Sequence, residues 1–193
     1  MSEQFEGKVT LIVGGTSGIG HAAALAFASE GGSVVVSGRN ITAGEKVEGQ
    51  IKEMGEGVFI RADISKASDI ENLVLRTIKR YGRLDCAVNN EATTGGEGLI
   101  HESSEESWDL VMDTNLKGLW LCMRYEIAQM LRQGHGSIVN TTSIGGLVGF
   151  ARNPIYAASK HGIVGLTRSA ALFSTPRQAF ESMLWLQGLS RRR

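Results

Sequence analysis

Tyr156 and Lys160 stand four residues apart in the stretch "YAASK". On a helix, that spacing puts both side chains on one face and within reach of each other. A free phenol titrates at about 10, too high for easy proton transfer at neutral pH. A neighbouring ammonium favours the phenolate and lowers that value. Ser143 closes the stretch "GSIVNTTS", where its hydroxyl could hydrogen-bond a substrate oxygen and fix it against the phenol. Taken alone, a Tyr and a Lys at this spacing is also an ordinary helix surface. Two neighbouring features turn the pair into chemistry: the serine that ends a strand and a glycine turn far upstream.

The glycine turn is "GGTSGIG", residues 14–20, between an apolar strand and a helix. Gly14, Gly18 and Gly20 let the backbone approach a pyrophosphate, which would then sit on the free N–H groups of the helix N-terminus. Thr16, Ser17 and Ile19 complete the expected contact set. A tight turn without a ligand is the competing reading. The next strand ends "SGRN", with Gly38 where a dinucleotide-binding strand usually carries an acid for the ribose 2′-OH, and Arg39 after it. A carboxylate that would repel a 2′-phosphate is missing, and a guanidinium that could grip one is present. The expectation is NADP, with NAD as the alternative; a solvated Arg39 is the bland reading. An oxidised nicotinamide would add its positive charge to that of Lys160 in favouring the phenolate.

The elements that must position these residues are legible. Five β-branched runs, at 9–13, 33–38, 57–64, 84–90 and 136–143, are nearly continuous in Val, Ile and Leu, as strands buried on both faces should be. Helical stretches lie between them. The first closes on Gly31-Gly32, and Thr42 with Glu45 and Ser68 with Glu71 have capping-box spacing. A long helical region runs from about Ser104 to Gln133, and another starts at Pro154, a residue tolerated in a first turn. Strand and helix alternating in this way predicts a doubly wound, Rossmann-like α/β fold with a parallel sheet and right-handed crossovers. Ligands of such sheets sit at strand ends near the switch point, where Ser143 and the glycine turn fall.

The 193 residues, 42% of them hydrophobic, suffice for one domain with a real core. A formal net charge of zero argues against nucleic acid as the main partner. No apolar run approaches transmembrane length and the polar start carries no signal segment, so a cytoplasmic protein without a membrane partner is expected. Cys86 and Cys122, too few for a disulfide framework, read as reduced core residues. His21, His101, His135 and His161 show no metal-ligand spacing, so no metal is expected. Trp108, Met112, Trp120 and Met123 have helical spacing, suited to core or subunit packing.

Residues 7–172 resemble the short-chain dehydrogenase/reductase family in motif order and spacing. The glycine turn matches that family's TGxxxGxG, with Val13 in place of the Thr; "SIVNTTS" resembles its serine strand and "YAASK" its YxxxK motif. The resemblance implies oxidoreduction of an alcohol or ketone, with Tyr156 as general acid/base, Lys160 tuning it and binding ribose, and Ser143 orienting substrate. "MDTNLKG" is similar to the family's helix carrying an active-site Asn, so Asn115 would hold a water in a proton relay. Asp63 and Ile64 would contact adenine. "NNEA", residues 89–92, resembles an NNAG segment bordering the nicotinamide ribose, which implicates Asn90. Glu91 and Ala92 depart from that pattern, and Glu91 places a carboxylate near the cofactor. Family members often pair through long helices, which here makes the stretches 104–133 and 154–172 an expected homo-oligomer surface.

The chain ends "FSTPRQAFESMLWLQGLSRRR", four of whose residues from 174 on are Arg against one Glu. The family normally continues past Leu172 with a sixth strand, a Pro-Gly turn, a helical flap and a seventh strand. Back-translated and regrouped in another frame, the tail from Ser174 permits "YAxxGIRVNAVAPGP", which is that sixth strand and turn. The Phe180–Glu181 junction can give only Arg or stop there. The expectation is therefore a dinucleotide-binding domain over 1–173 and an aberrant, poorly ordered basic tail over 174–193 from a reading-frame shift. The sheet would then lack the family's last strands and leave the fifth as an edge. The other reading of the tail is a basic amphipathic helix anchored by Trp185. For the whole chain, an NAD(P)-dependent oxidoreductase of doubtful activity competes with a non-catalytic dinucleotide-binding or interaction protein.

Overall fold

The computed structural model describes residues 4–172 and the backbone of residues 179–187. Six strands alternate with six helices: β1 (Val9–Val13), α1 (Gly18–Ser29), β2 (Ser33–Gly38), α2 (Ile41–Lys52), β3 (Gly57–Arg61), α3 (Ala67–Tyr81), β4 (Cys86–Asn89), α4 (Glu105–Val111), α5 (Gly118–Gln133), β5 (His135–Ser143), α6 (Pro154–Ala171) and β6 (Ala179–Gln187). A π-helical turn, Met112–Lys117, joins α4 to α5. All pairings are parallel, and the sheet order is β3-β2-β1-β4-β5-β6.

β1 is buried along its whole length, because helices cover both faces of a parallel sheet. Leu11, Val35, Leu73, Leu84 and Ile138 pack on one face with α3 and α5. Ile12, Val34, Val36, Val47 and Ile51 pack on the other with α1 and α2. The order reverses between β1 and β4, so the switch point lies beyond Val13 and Asn89.

The five expected strands and the doubly wound sheet are present. Helix starts differ from expectation. Asn40 caps α2 by accepting from the Ala43 amide at 3.0 Å, so Thr42 lies inside the helix and is no cap. Lys66 is the residue ahead of α3 and makes no side-chain capping bond, which puts Ser68 in the first turn. Ser104 does cap α4, accepting from Ser107 at 3.2 Å, and Pro154 opens α6.

The expectation of an open β5 edge is corrected. Residues 179–187 pair with β5 from His135↔Ala179 to Ser143↔Gln187. An unpaired row of N–H and C=O groups is a template for any apolar extended segment, and "AFESMLWLQ" has neither Pro nor Gly to prevent pairing. The remaining tail residues, 173–178 and 188–193, lie outside the described residues.

Candidate active site

The glycine turn is built for close approach. Gly14 has φ +73 and Gly18 φ +54, a left-handed backbone that side chains resist. Both the Gly14 and Gly15 amides donate to the Ser37 carbonyl at 3.0 Å, which ties the turn to the end of β2. A Cβ at Gly20 would stand 2.2 Å from the Gly14 oxygen, whereas one at Gly18 would meet nothing within 4 Å. The open space therefore lies before the α1 N-terminus. Ser17 makes no side-chain capping bond there, and the first turn carries no acid. An unneutralised helix start with glycine-lined access suits an anionic pyrophosphate.

Arg39 does not stand free at the end of β2. Its Nε lies 3.4 Å from Oε1 of Glu91, which follows β4. The Glu91 side chain is 14% exposed and that of Arg39 58%. Burial pushes the Glu91 carboxyl above the usual range; Arg39 pulls against this, and the charge of Asp63 adds to it. At Asp63 burial also raises the value, but the Ser65 hydroxyl and amide, with the charge of Arg39, outweigh it and hold that carboxyl low. Ser65 donates to Asp63 Oδ1 from its hydroxyl at 2.7 Å and from its amide at 3.1 Å. Ile64 is a core residue, 3% exposed, and the Asn90 side chain reaches only the Gly14 carbonyl, at 3.5 Å.

Two of the residues expected at the reaction centre, Tyr156 and Lys160, face each other where α6 crosses the end of β5. Lys160 is 2% exposed; its ammonium lies 5.6 Å from the centroid of the Tyr156 ring and donates to the Thr141 carbonyl at 3.2 Å. Burial alone drives its pKa down, to about 8. Thr142 fixes the crossing by donating to the Lys160 carbonyl at 3.0 Å. One residue on, Ser143 is 6% exposed, and its Oγ accepts from the Gly145 amide at 3.1 Å. That bond uses a lone pair, so the hydroxyl proton is still available to a substrate oxygen. Asn115 sits in the π-helical turn and is fully buried. It accepts from the Thr93 amide and donates to the Thr93 carbonyl, both at 2.8 Å, and donates to Ser159 Oγ at 3.1 Å. It thus pins the loop after β4 beside α6, a contact that motif spacing did not announce.

The short chain dehydrogenase family model matches residues 8–178. The chain belongs to the short-chain dehydrogenase family. The cyclohexanol dehydrogenase of Acinetobacter sp. (strain SE19) is 40% identical over 173 residues, which are 89% of this chain and 69% of the relative. The 3beta-hydroxysteroid dehydrogenase of Mediterraneibacter gnavus is 38% identical over 170 residues, 88% of this chain and 61% of the relative. The solved structure of NAD+-bound xylitol dehydrogenase superposes with a TM-score of 0.92 at 28% identity, covering 96% of this chain and 71% of that one. The chain thus spans about two thirds of the length of the curated relatives it matches.

Two features of the chain escaped sequence reasoning. Glu126, fully buried on α5, accepts from Asn89 Nδ2 at 2.9 Å; the same amide donates to Asn140 at 3.0 Å, and Asn140 donates to Thr167 at 3.0 Å. Its only advance signal was a charged residue on the apolar face of a helix. Ile144, Leu147 and Val148, between β5 and α6, are 42%, 50% and 50% exposed, and the Phe150 ring stacks on Tyr156 at 6.4 Å. Trp108 and Trp120, read as core or contact residues, are 48% and 43% exposed and so do not pack in the core. Among the described residues, no cluster of His, Cys, Asp and Glu could hold a metal ion, and no helix is long and apolar enough to cross a membrane.

Proposed function

We propose that this chain catalyses oxidoreduction between a nicotinamide dinucleotide and an apolar, ring-bearing secondary alcohol or its ketone. The observation that carries this reading is the Lys160 ammonium over the Tyr156 ring, beside a strand that ends in Ser143. Gly14, Thr16, Ser17, Gly18, Ile19 and Gly20 would hold the pyrophosphate, and Asp63, Ile64 and Asn90 would border the adenosine and the nicotinamide ribose. When bound, the nicotinamide supplies or accepts the hydride. Tyr156 takes the hydroxyl proton of the alcohol, or returns it to the ketone oxygen. Lys160 favours the phenolate through its charge, and Ser143 donates to the same oxygen and fixes its position. Asn115 keeps the loop over the site in place.

The substrate class is supported by Phe150, whose ring stacks on Tyr156, and by the exposed apolar Ile144, Leu147 and Val148 in the same connection between β5 and α6. Two relatives named for cyclohexanol and a 3beta-hydroxysteroid point the same way. Second copies of the chain are the proposed partner. Leu116, Trp120, Gly162, Gly165 and Leu166 line a groove of about 460 Å³ between α6 and the π-helical turn leading into α5, where a neighbouring subunit would pack. The test is cofactor reduction followed by absorbance with cyclic and open-chain alcohols. Turnover of the cyclic ones is expected, and no reduction of either cofactor by any alcohol overturns the reading.

A further inference from the structure

The end of β2 cannot supply the carboxylate that usually receives a ribose 2′-OH. Gly38 stands there, and a Cβ at that position would lie 2.8 Å from Thr16 Cγ2. A carboxylate nevertheless reaches the same corner from another strand. Glu91 leaves the end of β4 with its backbone against the glycine turn, its amide 2.6 Å from where a Gly14 Cβ would be. From there its side chain crosses to Arg39 at 3.4 Å.

We infer that Glu91 is the cofactor-discriminating residue of this chain, and that it selects NAD over NADP by occupying Arg39 and presenting a carboxylate to the adenosine ribose. This rests on the dinucleotide reading of the glycine turn. Arg39 is the cation that could grip a 2′-phosphate, and its Nε is already directed at Glu91. Asp63 stands close enough to feel both charges and is also faced by the Lys66 ammonium, so the corner already sets its two carboxylates against Arg39 and Lys66. A 2′-phosphate would bring about −1.5 to −2 further charges beside the Glu91 carboxylate, with the Arg39 guanidinium already committed to it. A ribose hydroxyl, by contrast, can donate to the Glu91 carboxylate and leave the ion pair whole. The β2 sequence alone points to the phosphorylated cofactor, and the residue after Asn90 reverses it.

The test is equilibrium binding of NADH and NADPH to the full chain, followed by fluorescence or calorimetry, in wild type, E91Q, E91A and E91A/R39A. The wild type should bind NADH at least about tenfold more tightly than NADPH. Both single variants should lose that preference through a gain of about tenfold or more in NADPH affinity, and R39A added to E91A should erase the gain. E91Q keeps the size of the side chain, so a shared response of E91Q and E91A separates charge from packing. A wild type that prefers NADPH, or a ratio unmoved in E91Q and E91A, overturns the role of Glu91 and leaves the dinucleotide reading standing. Failure of every variant to bind either nucleotide overturns both.

Discussion

The Lys160 ammonium and the Tyr156 ring face each other at 5.6 Å, with the ammonium anchored to the Thr141 carbonyl and nearly sealed from water. A cation held there by the strand that carries Ser143 acts on the phenol electrostatically, without needing to touch its oxygen. Replacing Tyr156 by Phe removes only the transferable proton. Y156F should lower kcat by about 10²–10⁴-fold while leaving NADH affinity within about twofold. Steady-state kinetics with a parallel binding titration checks this, and unchanged turnover would remove Tyr156 from the reaction.

Burying Lys160 costs stability, by an amount that depends on pH. Its pKa falls from 10.5 in the unfolded chain to about 8 in the folded one, with burial as the cause. Below about 8 both states are protonated and the folded chain bears the full desolvation cost. Between about 8 and 10.5 the folded state releases its proton first, so this group makes stability rise with pH. K160M should therefore abolish turnover yet be more stable than wild type at pH 7, by roughly 1–3 kcal/mol. The difference should shrink as the pH is raised to about 10. Urea unfolding at several pH values decides, and a K160M chain less stable at pH 7 with no pH trend contradicts the account.

The sheet and its crossings were legible in the sequence because parallel strands buried on both faces must be apolar throughout, and runs such as "VTLIV" and "SVVVSG" show it directly. The positions of Gly14, Gly18, Gly20, Ser143, Tyr156 and Lys160 on their elements were legible because each has a fixed place relative to a strand end or a helix turn. Pairings made across the chain were not. Arg39 follows β2 and Glu91 follows β4, and only the sheet order brings them together. Asn115 reaching Thr93 and Glu126 reaching Asn89 are likewise products of packing. The start of α2 was missed for a smaller reason: Asn40 competed with Thr42 for the cap, and a two-residue shift cannot be seen in a hydrophobic pattern.

The glycine turn separates folding from binding. G20A would drive a Cβ to 2.2 Å from the Gly14 oxygen, a backbone atom that cannot give way cheaply. It should cost about 1–3 kcal/mol and abolish nucleotide binding. At Gly18 there is no such neighbour, only the left-handed φ of +54. G18A should cost about 1 kcal/mol and keep the fold. Its Cβ projects into the open space before α1, so NADH affinity should still fall at least about tenfold. Thermal unfolding and NADH titration of both variants check the contrast; equal stability losses would mean that the turn relaxes around Gly20.

Glu126 gives the opposite pH slope to Lys160. Its carboxyl is fully buried, its Oε1 has no hydrogen-bond partner, and burial raises its pKa from 4.5 to about 7 against the opposing Asn89 bond. Below 4.5 the group is protonated whether folded or not. As pH rises from there, the unfolded chain releases the proton first, so stability falls until the folded group also ionises near 7. A shift of that size corresponds to about 3 kcal/mol lost by neutral pH. Gln has the same shape, keeps an acceptor for Asn89 and carries no charge. E126Q should match the wild type at about pH 4 and exceed it by roughly 2–3 kcal/mol at pH 8. Denaturant unfolding of the two chains across that range gives the answer directly. A constant difference would mean that Glu126 does not titrate there and that the Asn89–Asn140–Thr167 network already accommodates its charge.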